Sequence, residues 1–211
     1  MDAGFFRAWV AEIAAVVETQ RDHLTQLDAA IGDADHGINL SRGFSAVQAA
    51  LAQASAPTPG AVLVLTGSTL ISKVGGASGP LYGTAFRHAG KALGEGAEVD
   101  LAGLAGALEA ALSGVQKLGA AREGEKTMVD ALAPAANALS KAVAEGASAA
   151  DAFSALAVAA DAGAEATIAM QALKGRASYL GPRSVGHEDP GAASTALIMR
   201  ALRDVALRQA L

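Results

Sequence analysis

Apolar residues recur at three- and four-residue steps along most of this chain, the pattern of helices that bury one face. Near the N-terminus Phe6, Trp9, Val10, Ile13, Val16 and Val17 trace one such stripe. Gly and Pro punctuate the pattern into about eight helical segments, at 4–26, 38–55, 60–73, 80–94, 99–119, 126–144, 148–173 and 191–210. Between 99 and 173 the segments are so rich in Ala and Leu that nearly every face can be covered, which predicts close helix–helix packing in a bundle. Ala61-Val62-Leu63-Val64-Leu65 has the composition of a strand, but Val62, Leu65, Thr69, Leu70 and Val74 continue at helical spacing, so it reads as helix. The Pro57-Thr58-Pro59-Gly60 break is too short for an interdomain linker. The expectation is an all-α fold in one domain over residues 1–211.

Composition narrows the function classes. The chain is 52% hydrophobic and 4% aromatic, so its core is built from small side chains. Its most apolar run, 61–65, ends at Thr66-Gly67-Ser68, well short of the ~20 residues of a membrane span. No basic region followed by an apolar core opens the chain, and cysteine is absent, which fits a soluble, cytoplasmic protein. A formal charge of −5 without a basic stripe argues against a nucleic-acid partner.

Against this sparing use of charge, Asp28, Asp33 and Asp35 fall within eight residues, beside His36, Gly37 and Asn39. Carboxylates at that density call for a positive partner, and Mg²⁺ takes a few carboxylate oxygens while leaving positions for phosphates. One such Asp capping a helix that starts after Gly37 is the plainer alternative, but three exceed what capping needs. A second junction, Val74-Gly75-Gly76-Ala77-Ser78-Gly79-Pro80, suits a turn of exposed N–H groups at a helix start, with Ser78 near the N-cap and Pro80 near the first helical position. Such a turn is an anion site. A third, Gly119 to Met128, misses the phosphate-loop pattern because Glu125 precedes Lys126 and an Ala/Leu helix stands where a strand is required. The fourth, Lys174 to Gly191, is a long polar connection of the kind that carries function, with Asp189-Pro190 reading as N-cap and first helical residue.

Taken together these blocks resemble the nucleotide-binding L subunit of dihydroxyacetone kinase. The residues that carry the likeness are Gly32-Asp33-Ala34-Asp35-His36-Gly37, Gly75-Gly76-Ala77-Ser78-Gly79-Pro80-Leu81-Tyr82-Gly83-Thr84, Glu125-Lys126-Thr127-Met128-Val129-Asp130 and Lys174 to Ala192, in order along the whole chain. The resemblance implies an antiparallel barrel of eight α-helices with ADP or ATP at one end. It implies that Asp28, Asp33 and Asp35 hold two Mg²⁺, that His36, Gly37, Ile38 and Asn39 contact the nucleotide beside the metals, and that Ala77 and Ser78 form the phosphate turn. Gly119 and Met128 match the nucleoside pocket, and Arg176 with Asp189, Pro190 and Gly191 the closure over the nucleotide. By the same resemblance the sugar is held covalently on a separate K subunit, and a phosphohistidine on the M subunit of the phosphotransferase system recharges ADP to ATP in place. A kinase driven by free ATP, a related sugar such as erythrulose, or a regulatory nucleotide-binding subunit are the alternatives, and the chain itself is expected to be a monomer or homodimer.

Overall fold

The structure, a computed structural model, describes residues 1–210; Leu211, the last residue of the expected domain, lies outside them. Nine α-helices are formed among the described residues: α1 Ala3–Thr19, α2 Arg21–Ile31, α3 His36–Gln53, α4 Pro59–Lys73, α5 Ser78–Leu93, α6 Leu101–Gly119, α7 Val129–Ala144, α8 Ala149–Ala166 and α9 Pro190–Arg208. Short 3-10 segments at Thr167–Ala169 and Arg176–Ser184 complete the chain. From α3 to α9 each helix packs on the next, α9 packs on α1, and α1 on α3, so eight helices close a ring. The ninth, α2, packs against α3 and α9 and carries the first of the three aspartates.

Two expected spans are corrected. The segment 4–26 is two helices, because the chain turns at Gln20. Neither Gly nor Pro stands there; instead Thr19 Oγ1 donates to the Ala15 carbonyl at 2.9 Å, the back-bonding that bends helices. The segment 148–173 is α-helical only to Ala166, where Thr167 Oγ1 donates to the Ala164 carbonyl and the chain tightens into a 3-10 turn. Elsewhere the caps follow the sequence: Thr58, with Pro59 behind it, accepts from Ala61 N, and Asp189, with Pro190 behind it, accepts from Ala192 N.

The interior is contiguous and built mostly from Ala, Leu and Val, with Phe5, Phe6, Trp9, Phe44, Phe86 and Phe153 as its large members. Five of the six residues in the expected stripe of α1 are buried; Val16 is half-buried. Close approach is greatest between α4 and α5. A Cβ on Gly67 would lie 2.4 Å from the Gly83 carbonyl oxygen, and one on Gly90 2.6 Å from that of Gly60. α5 begins at the phosphate-like turn, where a Cβ on Gly79 would lie 2.3 Å from the Val74 carbonyl oxygen. The stretch Ala149–Ala169 is long and apolar enough to cross a membrane; here its apolar face packs on α7 and α9.

Gly67→Ala is expected to cost about 1–3 kcal/mol of stability, because the added methyl must push two helix backbones apart. Thermal unfolding checks this, and an unchanged Tm would show that the α4–α5 contact has room to spare.

Candidate functional site

The aspartates are brought together by a short turn between α2 and α3. Asp28 is in the last turn of α2, and its Oδ2 accepts from Asp35 N at 2.8 Å and His36 N at 3.1 Å, so the carboxylate of one helix caps the next. Asp35 occupies the N-cap position of α3, yet its side chain makes no capping hydrogen bond. Capping therefore uses Asp28 and leaves Asp33 and Asp35 to other partners. Between them Ala34 lies in the left-handed region at φ 61°, a conformation a non-glycine residue adopts only when its surroundings require it. One ligand oxygen from each of Asp28, Asp33 and Asp35 falls within 4.8 Å of the other two.

Gly32 and Gly37 make this approach possible. A Cβ on Gly32 would stand 1.9 Å from Asp28 Oδ1, and one on Gly37 2.0 Å from the Arg21 carbonyl. Gly37 is thus spent on seating α3 against α2, and it lies outside the cavity lining with Ile38 and Asn39. Ile38 is about half exposed, while Asn39 is buried and accepts from Arg42 Nη2 at 2.8 Å, close to Gly75 of the glycine turn.

The remaining residues singled out in the sequence, Asp28, Asp33, Asp35, His36, Ala77, Ser78, Gly119, Met128, Arg176, Asp189, Pro190 and Gly191, all line one cavity of about 310 Å³. That volume is at the lower end of the range for small-molecule sites, roughly 300–1,000 Å³. On its second wall α5 starts at Ser78, two residues before the expected 80. Ala77 is the N-cap, Ser78 the first helical residue and Pro80 the third, because Ser78 does not cap. No side chain caps this helix among the described residues, and its first residues, Ala77 and Ser78, line the cavity, which brings the positive end of its dipole there. The Ser78 hydroxyl instead meets His36 Nδ1 at 3.1 Å, and His36 Nε2 meets Ser194 Oγ at 2.8 Å. Behind them Tyr82 OH donates to the Gly191 carbonyl at 2.8 Å and contacts Ser194 and Thr195. Burial pulls the His36 imidazole below its ordinary pKa against the opposing pull of Asp28 and Asp35, and pushes the Tyr82 phenol up to about 12.

The polar connection closes the cavity from the other side. Arg176 Nε lies 3.0 Å from Asp33 Oδ2, and Ile31, Ala172, Ala177 and Leu180 form a small apolar cluster beside it. Both partners of the ion pair are well exposed, so the pair sets geometry more than stability. Gly191 abuts the opposite wall, since a Cβ there would lie 3.5 Å from Met128 N.

Sequence reasoning rejected Lys126 as a phosphate-loop lysine and kept it only within a family motif. The side chain is almost wholly buried, its residue sits at φ 59°, and its ammonium donates to the Thr167 carbonyl at 2.6 Å and to the His187 carbonyl. Tyr82 was read only as part of a family motif, and nothing local to either residue signals its partners, which come from 41 to 113 positions away. The missing strand before Lys126 is confirmed, as α6 stands there.

Known proteins share this sequence and fold. Residues 30–204 match the DAK2 domain. The chain is 42% identical over 194 residues to the "PEP-dependent dihydroxyacetone kinase, ADP-binding subunit DhaL" of Escherichia coli K12, covering 92% of each. The corresponding subunit of kinase 1 from Listeria innocua is likewise 42% identical with 92% coverage of both. Among solved structures, the dihydroxyacetone kinase from C. freundii in complex with AMP-PNP and Mg2+ superposes with a TM-score of 0.73 at 29% identity; the match spans 97% of this chain and 34% of that one.

Burial lifts the Asp189 carboxyl from 3.8 to about 7, opposed by its hydrogen bond from Ala192 N and by Lys126. The folded protein therefore holds this proton more tightly than the unfolded chain. The stability so gained is complete below the unfolded carboxyl value and is lost as pH rises to about 7. Asp189→Asn keeps an acceptor for Ala192 N without titrating. Its Tm relative to wild type is expected to improve as pH rises from about 4 to about 7 and to level off above that; a pH-independent difference would show that Asp189 is ionised throughout.

Proposed function

The chain belongs to the DAK2 domain family, and from that premise we propose that it is the ADP-binding subunit of a phosphoenolpyruvate-dependent dihydroxyacetone kinase, a phosphotransferase that works with partner subunits. The observation that carries this reading is the meeting of two opposite demands at one cavity. Three carboxylates with oxygens inside 4.8 Å of one another suit a hard divalent cation, and an uncapped helix start suits a phosphate. The relatives named as ADP-binding subunits, and the related kinase solved with AMP-PNP and Mg2+, point to the same pair of ligands.

On this reading Asp28, Asp33 and Asp35 hold two Mg²⁺, and residues 1–211 form one nucleotide-binding domain. Bound magnesium nucleotide supplies the carrier for the phosphoryl group and spreads its charge during transfer. The chain's own contribution is placement. Ala77 and Ser78 turn N–H groups toward the phosphates, with His36, Gly37, Ile38 and Asn39 alongside. Gly119 and Met128 border the nucleoside, while Arg176 and Asp189-Pro190-Gly191 close the open side. His36, held between Ser78 and Ser194, fixes the Ser78 hydroxyl against the core. Dihydroxyacetone is held by a K subunit, and the phosphohistidine of an M subunit of the phosphotransferase system recharges the resident ADP, all in the cytoplasm.

Reconstitution tests the division of labour. The isolated chain is expected to bind Mg²⁺–ADP without phosphorylating dihydroxyacetone. Sustained turnover is expected only with K, M and the phosphoenolpyruvate-driven proteins, with added ATP supporting little beyond one turnover. Turnover by the chain alone would overturn the reading as half of an active site. Steady turnover with K and free ATP would overturn the recharging scheme in favour of an ATP-dependent kinase.

A further inference from the structure

Lys126 is a buried cation that the proposed phosphoryl transfer does not use. Its residue belongs to the tight loop between α6 and α7, whose backbone is tied by Asp130: Oδ1 accepts from Gly124 N at 2.5 Å and Oδ2 from Thr127 N at 2.7 Å. Lys126 lines the cavity, and its ammonium donates to the Thr167 and His187 carbonyls of the connection that follows α8. Thr167 extends the connection, because its Oγ1 accepts from Asp189 N at 2.9 Å. Asp189 then caps α9 through Ala192 N at 2.7 Å. Lys126 is thus the side-chain link between the loop that leads into Met128 and the segment that carries Asp189-Pro190-Gly191.

Those are the two walls that meet where Gly191 faces Met128. An ammonium suits this task, since it has three N–H donors and no acceptor and can satisfy several carbonyls from different segments at once. A residue that is 1% exposed, with its backbone in the left-handed region, is kept in place by such contacts rather than by its intrinsic preferences. Resting on the reading of this cavity as a nucleotide site, we propose that Lys126 is a positioning residue that sets the spacing of the Met128 and Asp189–Gly191 walls, and so controls the hold on the nucleoside half of the ligand, independently of the phosphate half at Asp28, Asp33, Asp35 and Ser78.

The test separates the two halves by ligand. Binding of Mg²⁺–ADP and of Mg²⁺–pyrophosphate, which lacks the nucleoside, is measured by calorimetry for wild type, Lys126→Met, Lys126→Arg and Val10→Ala. Val10 is fully buried on α1, away from the cavity, and its truncation controls for lost stability. Lys126→Met is expected to weaken ADP roughly tenfold, the low end of what removing a support behind a ligand-holding group costs, with pyrophosphate unchanged. Lys126→Arg, which keeps donors for both carbonyls, is expected to recover part of the ADP affinity, and Val10→Ala to lower Tm while leaving both ligands alone. Equal losses for ADP and pyrophosphate in Lys126→Met, no loss of either, or the same ADP loss in Val10→Ala would overturn the proposal. If wild type bound neither ligand, the reading of the cavity as a nucleotide site would fail instead.

Discussion

One carboxylate organises this molecule's working end. Asp28 leaves the end of α2 and takes the first N–H groups of α3, so two helices that the chain had to reverse between are joined by side chain rather than by a long loop. Gly32 and Gly37 are required by that junction, because a Cβ on either would collide with Asp28 itself or with the α2 backbone. Asp33 and Asp35 are left beside Asp28, lining the same cavity as the uncapped start of α5. The ring of eight helices matters to function chiefly because it sets α3, α5, α7 and α9 around this one point.

The electrostatics divide accordingly. The cavity collects negative charge on the α2–α3 turn and partial positive charge at the α5 N-terminus, with Arg176 reaching across to Asp33. Deeper in, polar groups are paired rather than free: His36 bridges Ser78 and Ser194, Tyr82 ties α5 to α9, and Lys126 spends its donors on carbonyls. Burial moves His36 down and Asp189 up, in each case toward the neutral form, which keeps uncompensated charge out of the interior.

Helical periodicity and the Gly/Pro breaks made most of the ring legible from sequence, and the strand-like run at 61–65 was rightly helical because its apolar positions kept a helical step. The break at Gln20 was not legible, since a threonine back-bond leaves no breaker residue to read. Within the site, local density revealed the aspartates and local turn chemistry revealed Asp189-Pro190. The capping role of Asp28 was hidden because its partners lie seven and eight residues on, across a turn whose shape depends on Ala34. The buried partners of Lys126 and Tyr82 were hidden for the same reason at longer range: sequence displays a residue's type but not the carbonyl that awaits it.

The central claim is that carboxylate cluster and helix start form one metal-dependent nucleotide site, and titration of ADP into the nucleotide-free protein with Mg²⁺ or with a chelator tests it most directly. Binding that is saturable with Mg²⁺, absent with chelator and lost in Asp33→Asn is the result this account requires. Binding of equal strength with and without the metal, or undiminished in the variant, would contradict it.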